Sequence, residues 1–171
     1  MLKSVYLAGP EVFYPDARAH GGRMQAVCCE AGFSGLFPLD AEITALPDGQ
    51  SLAIYEANRA LIERADAVVA NLRDFRGFEP DSGTVWEVSY ALARGKPVVG
   101  YCPTAATIVQ RVQASPHGKL FDAQCAVEDF GLPLNLMLAH SLTAIAYGSE
   151  DNFLGLKAAL AKLQALPDFS G

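Results

Sequence analysis

Short apolar runs alternate with longer amphipathic stretches along most of the chain. Five runs have the length and composition of strands, the central ones typical of a parallel sheet: residues 5–8, 35–39, 67–72, 97–101 and 141–147. The stretches between them have apolar residues at helical spacing, which predicts helices over 17–31, 52–64, 83–94, 104–113 and 152–166. The buried faces of the first two helices are expected to carry Met24, Val27 and Cys28, and Ile54, Leu61 and Ile62.

Strands that alternate with helices favour an α/β fold, a doubly wound parallel sheet of five strands with helices on both faces. The 171 residues suffice for one domain, which we expect over 1–171, and no internal repeat is present. Residues 40–50 and 73–82 are predicted loops, Ser51 a predicted helix cap, and 115–132 a loop-rich insertion. Ligands of such sheets bind beyond the carboxyl ends of the strands, which directs attention to the loops after residues 8, 72 and 101.

Charge and composition exclude several classes of function. Thirteen basic residues against nineteen acidic ones give a net charge of -6, which argues against DNA or RNA as the main ligand. No apolar run is long enough to span a membrane, and the four cysteines form no CxxC pair. The pattern favours a soluble, reduced, cytoplasmic protein that binds a small neutral or cationic ligand.

Phosphate and metal sites are also poorly represented in the sequence. The loop at Gly9 has neither a GxGxxG nor a GxxxxGK[ST] pattern, which disfavours a dinucleotide or nucleoside triphosphate. Gly21-Gly22-Arg23 is a weak candidate for an anion loop, and a flexible spot in or before a helix is the better interpretation. The histidines, at positions 20, 117 and 140, show no ligand spacing and are expected at the surface.

The densest polar cluster is residues 75–87, after the third predicted strand. Asp81 or Ser82 can cap the following helix, whereas Glu87 has mostly apolar neighbours, which predicts partial burial and a raised pKa. A carboxylate of that kind suits a nucleophile or a general base, although a solvent-facing residue or an ion pair with Arg94 would fit the spacing as well. Asp81 and Glu87 can reach one cleft, as glycosyl transfer requires; a metal site ranks second because no third acid or histidine is clustered with them.

Four segments of the chain resemble one known family in the expected order. They are Val5-Tyr6-Leu7-Ala8-Gly9-Pro10 with Val12-Phe13, then Phe75-Arg76-Gly77 with Glu79-Pro80-Asp81-Ser82-Gly83-Thr84 and Glu87, then Gly95-Lys96-Pro97, and Phe130 to Leu138. Together they are similar to the nucleoside 2-deoxyribosyltransferases, closest to the branch that accepts both purines and pyrimidines. Each motif alone is weak, but the ordered set is fairly specific.

The resemblance implies a ping-pong transfer of 2-deoxyribose between nucleobases, with no metal or organic cofactor. It places Glu87 as the nucleophile at C1′, Asp81 at the sugar hydroxyls and Tyr6 as the hydroxyl that orients the nucleophile. It places Phe13 at the nucleobase. Gly9 and Glu79, which belong to the matching motifs, are expected to contact substrate.

The resemblance also implies a homo-oligomer whose ligands are deoxynucleosides and free nucleobases. Asn135 matches an asparagine that the family donates across a subunit interface to the sugar 5′-hydroxyl. Asn58 stands where some members have an aspartate that assists protonation of the base, and an amide can hydrogen-bond the base but cannot be its general acid. Two alternatives stay open: a hydrolase of deoxynucleosides or their 5′-monophosphates, and a non-catalytic nucleotide-sensing domain.

Overall fold

Five parallel strands form one sheet in the order β2-β1-β3-β4-β5. The computed structural model describes residues 2–40, 47–118 and 126–169. The strands are β1 (Lys3–Ala8), β2 (Phe33–Leu36), β3 (Ala67–Asn71), β4 (Val98–Cys102) and β5 (Ala144–Tyr147). The doubly wound parallel sheet predicted from the sequence is confirmed, and its order reverses direction between β1 and β3.

Six α-helices connect or follow the strands within the described residues. They are α1 (Ala17–Glu30), α2 (Pro47–Arg64), α3 (Ser82–Ala93), α4 (Ile108–Ala114), α5 (Leu136–Ser141) and α6 (Asn152–Gln164). Short 3₁₀ turns follow β1 at Pro10–Phe13 and α6 at Pro167–Phe169.

The two faces of the sheet are covered by different helices, and β1 alternates between them. Val5 and Leu7 pack with α1 and α6, whereas Tyr6 and Ala8 pack with α2, α3 and α5. Tyr6 is therefore fully buried on the same side of the sheet as α3.

Helix α2 begins earlier than the sequence predicts. Ser51 lies inside the helix and is not its cap, and the predicted loop 40–50 includes helical residues from Pro47 onward. A proline in the first turn forfeits no hydrogen bond, because the first amides of a helix have no partner inside it. Leu61 and Ile62 are buried as expected, but Ile54 is 40% exposed, so that part of the predicted stripe is wrong.

Three other element boundaries differ from the prediction. Strand β2 lies at Phe33–Leu36, a little before the predicted run. Helix α4 starts only at Ile108 because Thr107 and Gln110 form a capping box there. Residues 136–141, which include the predicted start of the last strand, form α5 after Asn135 caps that helix. Of the predicted insertion 115–132, residues 119–125, including Cys125, lie outside the described residues.

The expectations for His20 and the neighbouring glycines have different outcomes. His20 is buried, contrary to the prediction for a surface residue, and its ring stacks on Phe153 with 4.8 Å between ring centroids. His117 and His140 are exposed, as expected. Gly21, Gly22 and Arg23 lie within α1, so the anion-loop interpretation is wrong: the Arg23 guanidinium covers the Phe153 ring and does not face a phosphate loop.

Within residues 2–40, 47–118 and 126–169, no helix combines the length and apolar composition needed to cross a membrane.

Candidate active site

A hydrogen bond between Tyr6 and Glu87 joins β1 to α3. The Tyr6 hydroxyl donates to Glu87 Oε1 at 2.5 Å. Val88 and Ala91 anchor α3 against the sheet, and this leaves Glu87 facing the strand end that carries Tyr6. Arg94 pairs with Glu63 instead, so the alternative ion pair between Arg94 and Glu87 is not formed.

The surroundings of Glu87 favour its protonated form. Burial and, to a smaller extent, the charge of Asp81 raise the pKa of the Glu87 carboxyl to about 7. The hydrogen bond from Tyr6 acts in the opposite direction, because it favours the carboxylate. Near neutral pH, the protonated acid and the carboxylate therefore coexist at Glu87, and the carboxylate form is poorly hydrated and held in one orientation, which suits a nucleophile.

Asp81 has a structural role and an available oxygen. It is the N-cap of α3, and its Oδ2 accepts from the amide and the hydroxyl of Thr84 at 2.9 and 3.2 Å. Both of these bonds use one oxygen, which leaves Oδ1 for a ligand. Because Asp81 also acts on the pKa of Glu87, the two carboxylates influence each other electrostatically.

The turn after β1 is folded tightly over the strand ends. Glu11 is 1% exposed and its Oε1 accepts from Asn71 Nδ2 at 2.6 Å and from the Tyr101 hydroxyl at 3.4 Å. A Cβ at Gly9 would lie 2.0 Å from Glu11 Oε2, so this close approach requires glycine. Burial raises the pKa of Glu11, against the hydrogen bond from Asn71. The pattern of residues does not single out Glu11, because an acid after a strand looks like any loop residue.

Phe13, at the end of that turn, stacks on Phe75 with 5.3 Å between ring centroids. The guanidinium of Arg76 covers both rings, and Phe13 remains 54% exposed. Arg76 has a φ of 54°, a conformation that few non-glycine residues adopt. An exposed aromatic face next to the strand ends suits stacking with a flat heterocycle.

Asn58 lies on α2, which packs against α3 and β1. Its side chain is half-buried and its Oδ1 is buried without a hydrogen-bond partner. A buried acceptor of this kind costs free energy until a ligand or water satisfies it. This observation fits the base contact that the sequence predicts, but no contact joins Asn58 directly to Glu87.

Glu79 and Asn135 line a separate groove of about 490 Å³ between α3 and α5. Asn135 caps α5 through Met137 N, and its Nδ2 donates to Glu128 Oε2 at 2.8 Å. Partial burial and the nearby acid Glu128 raise the pKa of Glu79, against the positive charge of Arg111.

This groove is on the far side of α3 from Glu87. The α3 side chains that line it are Val85, Ser89 and Leu92. At about 100° per residue, they lie about 140° to 160° around the helix from Glu87. Within one chain the structure thus brings Tyr6, Asp81 and Glu87 together and does not bring Asn135 to them.

No group of three histidine, cysteine or acidic side chains among the described residues is arranged to hold a metal ion. The side chains described above for this region are two carboxylates, a phenol and an aromatic face.

Residues 5–137 match the family model for nucleoside 2-deoxyribosyltransferases. The structure is similar to a 2-deoxyribosyltransferase of Leishmania mexicana, with 31% identity, a TM-score of 0.73, and coverage of 94% of this chain and 96% of that one. A 2-deoxyribosyltransferase of Bacillus psychrosaccharolyticus has the same fold at 20% identity, a TM-score of 0.55 and 90% coverage of each chain.

An uncharacterised protein of Schizosaccharomyces pombe is 33% identical over 115 residues. The match covers 64% of this chain and 54% of that protein, so the chain spans about half the length of this curated relative.

Proposed function

Because the chain belongs to the nucleoside 2-deoxyribosyltransferase family, we propose that it transfers 2-deoxyribose between nucleobases by a ping-pong reaction. The observation that carries the proposal is the 2.5 Å hydrogen bond from Tyr6 to a half-buried Glu87 whose pKa is about 7. That pair supplies an oriented carboxylate at the carboxyl ends of the strands, where ligands of this fold bind.

In the first half-reaction, a Glu87 oxygen forms a bond to C1′ while the bond from C1′ to the base nitrogen breaks. The electron pair of that bond leaves with the base, which takes up a proton. A nitrogen of a second base then attacks C1′, releases the Glu87 carboxylate and loses its proton. Glu87 must be deprotonated to attack, and the Tyr6 hydroxyl holds one of its oxygens so that the other faces the sugar.

The other candidate residues have supporting roles in this proposal. Asp81 accepts from a sugar hydroxyl through Oδ1, and the tight turn at Gly9 lets the backbone approach the substrate. Phe13 stacks on the base and the unpartnered oxygen of Asn58 accepts from it. Because an amide cannot be the general acid, the proton for the leaving base comes from water or another group.

Asn135 serves a neighbouring copy of the chain in this proposal. It lies across α3 from Glu87 in its own chain, so it can reach a Glu87 only if that glutamate belongs to another subunit. Glu79 lines the same groove and is assigned to the same boundary between subunits.

The test is incubation of deoxyinosine with and without free adenine, followed by separation of the nucleosides. We expect deoxyadenosine only in the tube with adenine, and a mass increase of one deoxyribosyl group on Glu87 after exposure to deoxyinosine alone. Glu87→Ala should lose transfer by several orders of magnitude.

Two results would contradict the proposal. Equal release of hypoxanthine in both tubes without a new nucleoside would indicate a hydrolase. Ligand binding without turnover, unchanged in Glu87→Ala, would indicate a sensing domain.

A further inference from the structure

Arg111 connects two segments of the proposed site that are distant in sequence. Four of its five N–H groups are used: Nε donates to Asp74 Oδ2 at 3.1 Å, Nη1 to the carbonyls of Ala106 and Pro133 at 2.8 Å each, and Nη2 to the Phe78 carbonyl at 3.0 Å. Its side chain is 13% exposed. So many bonds to backbone carbonyls fix the position of the chain around the guanidinium.

The bonded residues belong to the segments that carry the proposed sugar contacts. Asp74 and Phe78 lie in the loop that ends at Asp81, and Pro133 is two residues before Asn135. A backbone bond from Ile108 N to the Leu132 carbonyl at 3.1 Å holds the start of α4 to the same turn.

We propose that Arg111 is a positioning residue that sets the place of the Asp81 loop relative to the Asn135 turn. This inference rests on the proposed function, in which both residues recognise the sugar. Since Asn135 acts on the site of a neighbouring copy, Arg111 also links the geometry of one site to that of the next.

Lysine cannot replace arginine in this role. Its ammonium is a single point with three donors, whereas the planar guanidinium bonds in several directions at once. Arg111→Lys keeps the positive charge near Asp74 and loses the simultaneous bonds to Phe78 and Pro133.

The experiment compares two donors, deoxyinosine and 2′,5′-dideoxyinosine, which lacks the 5′-hydroxyl that Asn135 is proposed to bind. We expect Arg111→Lys to lower kcat/KM for deoxyinosine by about tenfold and for the dideoxy donor by about threefold or less. The matched control is Arg94→Lys, which alters an exposed pair with Glu63 and should leave both values unchanged. Thermal unfolding of each variant is recorded alongside.

An equal loss for both donors would mean that Arg111 only stabilises the fold. No loss for either donor would mean that Arg111 has no positioning role. Either result overturns the inference and leaves the proposed function intact. If wild-type protein performs no transfer, both fail. If Arg111→Lys does not fold, Asp74→Ala removes the side-chain bond on the loop side and leaves the bond to the Phe78 carbonyl. It should show the same dependence on the 5′-hydroxyl, and an equal loss on both donors would again overturn the inference.

Discussion

Glu87 differs from the surface acids of the chain in what surrounds it. Asp66 and Glu63 lie near the surface, and hydrogen bonds from Ser4 and Tyr90 lower the pKa of these carboxyls. Glu87 is half-buried, and loss of hydration is the main influence that raises its pKa to about 7. Only the bond from Tyr6 acts toward the charged form, so in the proposed reaction that phenol helps to keep Glu87 deprotonated.

Removing the phenol should therefore move the pH dependence of the reaction. In Tyr6→Phe the pKa of Glu87 rises above about 7, so the acidic limb of the kcat/KM profile shifts to higher pH. A hydrogen bond to a charged group is worth about 1.5 to 3 kcal/mol, which corresponds to a loss of about tenfold to a hundredfold at pH 6. The loss should be smaller at pH 9, where a larger fraction of Glu87 is deprotonated in the variant as well. The measurement is kcat/KM from pH 5 to 9, with Tyr147→Phe as control; an unshifted profile would contradict the role assigned to Tyr6.

At the scale of the element, the sequence predicts a helix or strand well where one face is apolar over its whole length. Helix α1 and strands β1 and β3 follow their patterns because Met24, Val27 and Val68 are buried as the spacing requires. Helix α5 was missed because six residues give less than two turns of pattern. The available signal was Asn135, a favourable N-cap directly before Leu136. The hydrogen-bond networks around Glu11 and Arg111 are not predictable from the sequence either, because they form only when segments distant in sequence pack together.

Two adjacent glycines in α1, Gly21 and Gly22, differ in how closely neighbouring side chains pack against the helix. A Cβ on Gly21 would lie 2.4 Å from the Phe37 ring, whereas a Cβ on Gly22 would meet nothing within 4 Å. Gly22→Ala should stabilise the protein by about 1 kcal/mol through helix propensity. Gly21→Ala should be destabilising, because displacing a packed ring costs about 1 to 3 kcal/mol and exceeds that gain. Urea denaturation of both variants measures the difference, and equal stabilisation would show that Phe37 yields without cost.

At the scale of the whole molecule, the five-stranded parallel sheet and the helices on both of its faces were predictable from the alternation of strands and helices. The sequence places Asp81 and Glu87 near one cleft by their spacing on one helix, whereas Tyr6 joins them only through the family resemblance. Within one chain, Glu87 and Asn135 lie on opposite sides of α3. The proposed site is thus complete only in an assembly of copies.

Mixing two inactive variants tests this arrangement. Glu87→Ala keeps Asn135 and Asn135→Ala keeps Glu87, so a mixed dimer contains one site with both residues intact. After unfolding and refolding together in equal amounts, we expect about a quarter of wild-type activity from random pairing of a two-fold dimer. The separately refolded variants serve as controls. Activity no greater than the sum of those controls would place Asn135 outside the neighbouring site.

The position of Tyr6 in the sheet has a consequence for how the protein loses activity. Tyr6 pairs with Leu36 of β2 and Val68 of β3, so it lies in the interior of the sheet, where backbone amides exchange with solvent only when the fold opens globally. The support of the proposed nucleophile is therefore as long-lived as the native state itself. Local fluctuations at the surface leave the Tyr6 backbone in place, so loss of this support should coincide with global unfolding.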